Sequence, residues 1–183
     1  MTRPMVNQDI CRQFAALLSY PGADLSRTTA ACLERLQADH PQAAEQLQAF
    51  ADFLATANRA RIEEVFTATF DLQPLCHPYI GYQLCGESQQ RTMFLLELKK
   101  LYREHGYTAG EDLPDHLPQV LNFFAVAEDE AARAELLNDG LRPALDKLLD
   151  GFDDPQHPYR ALLGALQAYL NETGTAGAKE VAS

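Results

Sequence analysis

The sequence predicts an all-α fold, a single-domain bundle of about eight or nine helices. Apolar residues recur at the three- and four-residue spacing of helices along most of the 183 residues. No segment shows the sustained alternation of apolar and polar residues that is typical of strands. Hydrophobic residues make up 46% of the chain, which is enough for one core. We place the helical domain at residues 1–170 and a flexible Gly-, Ala- and Thr-rich tail at residues 171–183.

The first part of the chain contains four predicted helices. Ile10, Phe14 and Leu17 share one face of the first helix, which ends before Pro21. Proline is favoured in the first turn of a helix, because its missing N–H would have no partner there. The other three helices are expected over residues 25–38, from Pro41 onward and over residues 58–70.

Prolines and glycines divide the second part of the chain. Pro74 and Pro78 interrupt the helical pattern, and a long helix follows from about residue 87 to residue 105. Gly106 suits the position just after that helix. Either Pro114 or Asp115 is expected to open the next helix. The remaining helices are predicted at residues 128–139 and 141–152, separated by Gly140, and from Pro158 to about Leu170.

The charge of the chain limits its partners. The net charge is −11, and residues 111–154 hold 12 acidic and 3 basic residues. Nucleic acids and anionic membrane surfaces attract basic proteins, so we expect neither as a partner. The acidic stretch either attracts a basic peptide or is a solvated, solubilising surface.

Other sequence features predict a reduced, cytoplasmic protein. No apolar run approaches the length of a membrane span, and residues 1–9 lack the apolar segment of a secretory signal. The four cysteines show no CxxC spacing. Cys11 and Cys32 fall within apolar helical patterns and are expected in the core. A cytoplasmic setting keeps such thiols reduced.

The adjacent pair Asp115-His116 lies between Pro114 and Pro118, directly before an apolar helical pattern. Neighbouring residues on a helix do not face each other, so the pair is a poor catalytic relay. A carboxylate is favoured at the start of a helix, by the free N–H groups and by the helix dipole. We therefore expect Asp115 to cap the helix that follows it and His116 to project into a loop crevice.

Motifs of catalysis and metal binding are weak. The chain has no GxSxG nucleophile motif and no Gly-rich phosphate loop, so no catalytic residue is assigned. Cys76, His77 and Cys85 are close in sequence, but their spacing matches no common zinc pattern, and we expect no metal or other cofactor. A small metal-dependent enzyme remains an alternative, and its candidate residues are His77, Cys85, Asp115 and His116.

Two further groups of side chains could contribute to a binding surface. Glu87 and Arg91 are four residues apart at the start of the long helix and can pair across one turn. The aromatic residues around the Pro-broken segment either line a groove for an amphipathic peptide helix or belong to the core. These aromatic residues are Phe66, Phe70, Tyr79 and Tyr82.

Several short motifs occur in one order along the chain. They are LSYP at 18–21, EVF at 64–66, TFDL at 69–72, YQLCGES at 82–88, LYREHG at 101–106, DLPDHLP at 112–118 and LNF at 121–123. This succession resembles the nitrate reductase assembly chaperones, the NarJ branch of the TorD/DmsD/NarJ redox-enzyme maturation proteins. The resemblance is strongest from about residue 62 to residue 124.

The resemblance implies an all-helical chaperone without catalytic activity. Such proteins bind the N-terminal leader peptide of a molybdoenzyme catalytic subunit and hold the subunit for molybdenum cofactor insertion, before membrane attachment or export. Cofactor-insertion proteins are further candidate partners, and a helical adaptor without a molybdoenzyme client is the remaining alternative. Carried over by position, the candidate contacts are Pro114, Asp115, His116, Pro118, Tyr82, Glu87 and Arg91, with Phe70 and Asp71 as contacts or structural members of the matched motif.

One departure from the pattern concerns the client. NarJ-branch sequences usually have an Arg-Gly step after the Gly-Glu element, whereas Arg91 is followed here by Thr92 and Met93. The client is therefore expected to be nitrate reductase or a related enzyme of the dimethyl sulfoxide reductase type.

Overall fold

The computed structural model describes residues 6–174, where the backbone is helical apart from turns and one isolated antiparallel bridge between Tyr79 and His116. The predicted all-α fold is confirmed over these residues, which contain nine helices if the continuous stretch 130–150 is counted once. The α-helices are α1 (Gln8–Leu17), α2 (Leu25–Asp39), α3 (Pro41–Thr56), α4 (Arg59–Phe70), α5 (Ile80–Cys85), α6 (Gln89–Glu104), α7 (Leu117–Val126), α8 (Glu130–Glu135), α9 (Arg142–Asp150) and α10 (Pro158–Gly174). A 3-10 turn at Pro74–Cys76 precedes α5, and a π-helical segment at Leu136–Leu141, called the π segment below, joins α8 to α9.

Side-chain caps and a glycine fix the ends of two helices near their predicted positions. The side-chain oxygen of Asn58 accepts a hydrogen bond from the N–H of Arg61 at 2.8 Å, at the start of α4. The hydroxyl of Ser88 accepts one from the N–H of Arg91 at 3.3 Å, at the start of α6. Gly106 follows α6 with a φ of +66°, a conformation that favours glycine.

Besides the start of α7, which lies at Leu117, three features of the helix pattern differ from the expectation. Gly140 does not separate two helices but lies buried inside the π segment, where a Cβ would be 3.3 Å from Leu136 and 3.8 Å from Ile80. Helix α5 was not predicted, because Pro74 and Pro78 interrupt the helical pattern of the sequence just before it. Helix α10 continues to Gly174, and the rest of the predicted tail, residues 175–183, lies outside the described residues.

Five helices, α1, α2, α3, α7 and α10, form the main part of the core. Helix α10 packs along α3, α1 packs against α7, and α2 covers α1 and α3. Cys11 and Cys32 are fully buried, as predicted. Burial raises the pKa of each thiol to about 12, so both stay protonated at neutral pH. The largest fully buried side chains are Tyr159, Tyr169, Phe14, Phe50, Phe70, Phe123 and Phe124.

The helices that carry the predicted site pack beside this core. Helix α5 contacts α6, α9 and the π segment, although it has only six residues. Its position therefore depends on its neighbours more than on its own hydrogen bonds, because a helix this short is unstable alone.

Candidate functional site

Asp115 caps a helix, but that helix is α5 and not α7. Its backbone carbonyl accepts a hydrogen bond from the N–H of Ile80 at 2.8 Å, and its Oδ2 accepts one from the N–H of Gly81 at 3.1 Å. These are the first residues of α5, whose N–H groups have no partner within the helix. The expectation that Asp115 caps the following helix is wrong, because α7 begins only at Leu117 and the carboxylate turns toward a residue 34 positions earlier.

The Asp115 carboxylate also forms a buried ion pair with Arg91 of α6. Nε of Arg91 donates to Oδ2 of Asp115 at 3.1 Å, and Nη1 donates to Oε1 of Glu87 at 2.6 Å. The guanidinium lies over the rings of Tyr79 and Tyr82, at 5.6 and 5.7 Å from their centroids. The expected Glu87–Arg91 pair is present, but it is the outer part of a larger cluster that joins α5, α6 and the loop before α7.

Burial and charge act in opposite directions on Arg91. The residue is 7% exposed and Asp115 is 0% exposed, so both charges are removed from water. Burial acts to lower the pKa of Arg91, but the hydrogen bond and charge of Asp115, with the charge of Glu87, raise its pKa overall. Arg91 therefore keeps its charge, and the buried guanidinium needs the side chain of Asp115 as its partner.

His116 lies at the outer edge of this cluster. Its ring is 5.0 Å from the ring of Tyr79, and its Nδ1 is 3.4 Å from Oδ2 of Asp112. Burial lowers the pKa of His116, although the carboxylates of Asp112 and Asp115 act in the opposite direction. The ring is partly exposed, so a contact with a client remains a prediction for this residue.

The two prolines beside the pair are buried. The carbonyl of Pro114 accepts a hydrogen bond from the hydroxyl of Tyr102 at 2.7 Å, and Pro118 lies in the first turn of α7. With Asp115 also inside, only His116 of the four predicted rim residues reaches solvent. The Pro114–Pro118 segment therefore anchors the start of α7 to its neighbours.

The aromatic residues divide into two groups. Phe66 and Phe70 belong to the core, where both rings contact Tyr159. Tyr79 and Tyr82 are partly exposed and flank Arg91. Of the matched TFDL motif, Phe70 is thus a core residue, whereas Asp71 after α4 is exposed.

The side chains considered for a metal lie in different environments. The thiol of Cys76 is buried and lies 3.7 Å from the carbonyl of Gly151. The ring of His77 packs against Tyr82, at 5.2 Å between centroids, and Cys85 is exposed at the end of α5. Over residues 6–174, no three His, Cys, Asp or Glu side chains are grouped so that they could hold a metal ion.

A groove of about 490 Å³ runs between α6 and the stretch formed by α8 and the π segment. We call it the α6–α8 groove. Its apolar lining comes from all of these elements and from the end of α5. The lining residues are Leu84, Phe94, Leu98, Leu101, Ala132, Leu136 and Gly140, with Glu97, Lys100, Glu104, Glu135 and Asp139 around them.

The rim of the α6–α8 groove is acidic. Four of its five charged residues are carboxylates, and the single base, Lys100, lies 3.8 Å from Glu104. No ion pair involves Glu97, Glu135 or Asp139 within the part of the chain that the structure describes. An apolar floor between uncompensated carboxylates suits an amphipathic helix with basic residues on its polar face.

Sequence reasoning did not identify this groove. Phe94, Leu98 and Leu101 have the four- and three-residue spacing of one helix face, and that spacing does not distinguish a core face from a groove. Only Leu98 is fully inside, whereas Phe94 and Leu101 are half-buried along the groove. The acidic stretch of residues 111–154 supplies Glu135 and Asp139. The excess of acidic residues was therefore predictable from the sequence, but their position beside a groove was not.

Comparison with known proteins gives consistent results. A sequence profile of the nitrate reductase delta subunit family matches residues 33–164. The chain is 37% identical over 94 residues to the probable nitrate reductase molybdenum cofactor assembly chaperone NarJ of Bacillus subtilis, across 51% of this chain and 51% of that protein. It is 28% identical over 160 residues to the nitrate reductase-like protein NarX of Mycobacterium tuberculosis, across 86% of this chain. The matched parts span about half of the first relative and 24% of the second.

The fold has a counterpart among solved structures. A crystal structure described as a redox enzyme maturation protein from Archaeoglobus fulgidus superposes with a TM-score of 0.61 at 19% identity, covering 90% of this chain and 93% of that one. That likeness concerns the fold, and the sequence profile concerns the family. The resemblance found in the sequence is thus confirmed: the chain belongs to the nitrate reductase delta subunit family, a family of maturation chaperones and not of catalytic enzymes.

Proposed function

We propose that this protein binds the N-terminal leader peptide of a molybdoenzyme catalytic subunit, either nitrate reductase or a related enzyme of the dimethyl sulfoxide reductase type. It holds that subunit for molybdenum cofactor insertion before membrane attachment or export. The observation that carries the proposal is the α6–α8 groove, with its apolar floor and acidic rim. Family membership supports a client of this class, since the Bacillus subtilis relative is described as a nitrate reductase molybdenum cofactor assembly chaperone.

The groove suits a short helical peptide with apolar residues at positions i, i+3, i+4 and i+7. Phe94, Leu101 and Leu84 offer half-buried apolar surface to such residues. Micromolar binding requires about −8 kcal/mol, which a few apolar anchors and charge contacts supply. The carboxylates Glu97 and Glu135 raise the association rate and select basic peptides.

The proposed setting is the cytoplasm, where a catalytic subunit is held before it reaches a membrane or an export system. Cofactor-insertion proteins are proposed as additional partners of the chaperone–client complex. Among residues 6–174, no helix is both long and apolar enough to cross a bilayer.

The first test is direct binding of a synthetic leader peptide to the purified 183-residue chain. Isothermal titration calorimetry at about 0.05 M and about 0.5 M salt measures the affinity and its charge component, because added salt shortens the screening length. We expect measurable binding that weakens at the higher salt concentration. Absence of binding to the leader of any molybdoenzyme from the same organism contradicts the proposal and leaves the helical adaptor.

Charge reversal on the rim locates the binding surface. Glu97→Lys combined with Glu135→Lys replaces two exposed carboxylates with cations, and we expect about tenfold weaker binding of a basic leader peptide. Glu45→Lys on α3 is the matched control, because Glu45 is also exposed but lies outside the groove. Equal affinities for the double variant and the control would place the peptide elsewhere.

A further inference from the structure

We propose that Asp115 is a positioning residue that does not touch the client. It sets the separation of α5 and α6 at the end of the α6–α8 groove that Leu84 and Phe94 line. The inference rests on the proposed function, because it concerns the same groove. It also assigns a different role to the Asp-His pair from the one carried over by resemblance, in which Asp115 is itself a client contact.

One carboxylate oxygen joins the two helices. Oδ2 of Asp115 accepts hydrogen bonds from the N–H of Gly81 on α5 and from Nε of Arg91 on α6, each at 3.1 Å. The side chain has no exposed surface, so a peptide in the groove cannot reach it without local unfolding. Breaking either bond leaves a buried charge or a buried N–H without its partner, which makes this geometry costly to change.

Gly81 makes the close approach of the helices possible. A Cβ at this position would lie 2.8 Å from Oδ2 of Asp115, 2.9 Å from Cδ1 of Phe94 and 3.1 Å from Cγ of Arg91. The first two distances are shorter than carbon atoms tolerate in packed interiors. A side chain at position 81 therefore requires Asp115 or Phe94 to shift, because the interface between α5 and α6, called the seam below, has no free space for a methyl group.

The seam continues directly into the groove. Leu84 follows Gly81 by three residues on α5, and Phe94 follows Arg91 by three residues on α6. Residues three apart lie on the same side of a helix, so each groove residue sits one turn beyond a residue held by Asp115. Both Leu84 and Phe94 line the groove. A change in the spacing of Gly81 and Arg91 therefore changes the spacing of Leu84 and Phe94.

Helix α5 also contacts the opposite wall of the groove, which the π segment forms. Cγ2 of Ile80 lies 3.8 Å from the position of a Cβ on Gly140, and Gly140 lines the groove within the π segment. The backbone of Asp115 holds Ile80 through the hydrogen bond at 2.8 Å. Asp115 thus fixes α5 against both α6 and the π segment, and so fixes the width of the groove at this end.

Gly81→Ala tests the inference without removing any polar group. The added methyl overfills the seam and shifts Phe94 or Asp115, and we expect about tenfold weaker binding of the leader peptide with unchanged helicity by circular dichroism. Gly22→Ala is the matched control, because a Cβ there meets nothing within 4 Å. We expect the control to bind as the wild type does.

The size preference of the groove separates positioning from general destabilisation. Leader peptides with Leu, Phe or Ala at one apolar anchor are titrated into the wild type and into Gly81→Ala. A moved wall changes the ratios between these affinities, whereas a loss of folded protein lowers all of them by one factor. Unchanged ratios overturn the inference.

Two variants of Asp115 give the second measurement. Asp115→Asn keeps the shape and removes the charge, and Asp115→Glu keeps the charge and lengthens the side chain. We expect both variants to change the preference for the anchor residue as Gly81→Ala does. We also expect both to weaken the binding of a basic leader peptide and of its charge-neutralised counterpart by the same factor. A loss limited to the basic peptide marks Asp115 as a direct contact and overturns the inference.

The two proposals fail in different ways. If the wild type binds no leader peptide, the proposed function is wrong and the groove has another role. If the wild type binds but Gly81→Ala and the Asp115 variants keep its affinities and ratios, the positioning role alone is wrong. If Gly81→Ala does not fold, the same affinity ratios are measured with Asp115→Glu.

Discussion

At the scale of single residues, the role of Asp115 depends on contacts that are distant in sequence. An acid before a helical pattern is most simply a cap for that helix. The carboxylate instead satisfies the start of α5 and neutralises Arg91, because both are brought to it by folding. Residue spacing identified Arg91 only as the partner of Glu87, and the resemblance named it only as a candidate client contact. Its buried bond to Asp115 was not predicted, since residue spacing does not report contacts between separate helices.

The two ion pairs of Arg91 are expected to differ in their contribution to stability. Arg91→Met leaves Asp115 buried without its counter-charge, and we expect the free energy of unfolding to fall by about 3 kcal/mol. Glu87→Gln affects an exposed carboxylate, 76% of whose side chain is in solvent, and should cost less than about 1 kcal/mol. Urea unfolding followed by circular dichroism measures both. Equal losses would contradict a buried role for the Asp115–Arg91 pair.

At the scale of elements, the long amphipathic helices and α8 were predictable, and α5 was not. Helices α3, α4 and α6 begin or end within two residues of their expected positions, because proline, capping side chains and Gly106 mark their ends. Helix α5 lies in a Pro-broken segment and is organised by Asp115 and its neighbours. Helix α8 has six residues and none of them is buried. Helix α5 takes its order from tertiary contacts, which a periodic pattern does not encode, whereas α8 lies within the helix expected at residues 128–139.

The order of α8 should depend on its N-cap. The carboxylate of Asp129 accepts hydrogen bonds from the N–H groups of Ala131 and Ala132, each at 3.0 Å. The hydrogen bond from Ala132 contributes most to lowering the pKa of Asp129. His105 and the bond from Ala131 also lower it, although burial acts in the opposite direction. We expect Asp129→Ala to speed amide hydrogen exchange across residues 130–135 and to leave α3 and α10 unchanged.

Asp129→Asn is the control for the capping bonds, since its side-chain oxygen still accepts hydrogen bonds but carries no charge. Amide hydrogens of α8 should exchange more slowly in Asp129→Asn than in Asp129→Ala. If neither variant changes exchange in residues 130–135, the wall of the groove is held by the π segment alone.

At the scale of the whole molecule, partly buried histidines should make stability depend on pH. Nδ1 of His157 accepts a hydrogen bond from the N–H of Tyr159, and its Nε2 lies 3.2 Å from the hydroxyl of Thr69. Protonation of Nδ1 would remove the acceptor. Burial lowers the pKa of His157, as it does for His116, despite the nearby carboxylate of Asp154. Both rings are therefore favoured in the neutral form in the folded state.

The sign of the pH effect follows from these pKa values. An unfolded histidine binds a proton below about pH 6.5, whereas the folded His116 and His157 bind one only at lower pH. The unfolded state therefore holds more protons as the pH falls through that window, and stability decreases. We expect a lower urea midpoint at pH 5.5 than at pH 7.5, with a smaller difference in His157→Gln. A difference of the same size in that variant would assign the effect to other groups.

The sequence by itself determined the fold class, the core faces of the long helices, the acidic character of one region and the family. Each is encoded locally or compositionally, through helical periodicity, capping residues, charge counts and motif order. The tertiary structure alone decided that Asp115 serves α5 and Arg91, that a methyl group at Gly81 would meet Asp115 and Phe94, and that α6 and α8 enclose an acidic groove. The physical reason is that these features depend on distances between helices, which packing sets and sequence spacing does not report.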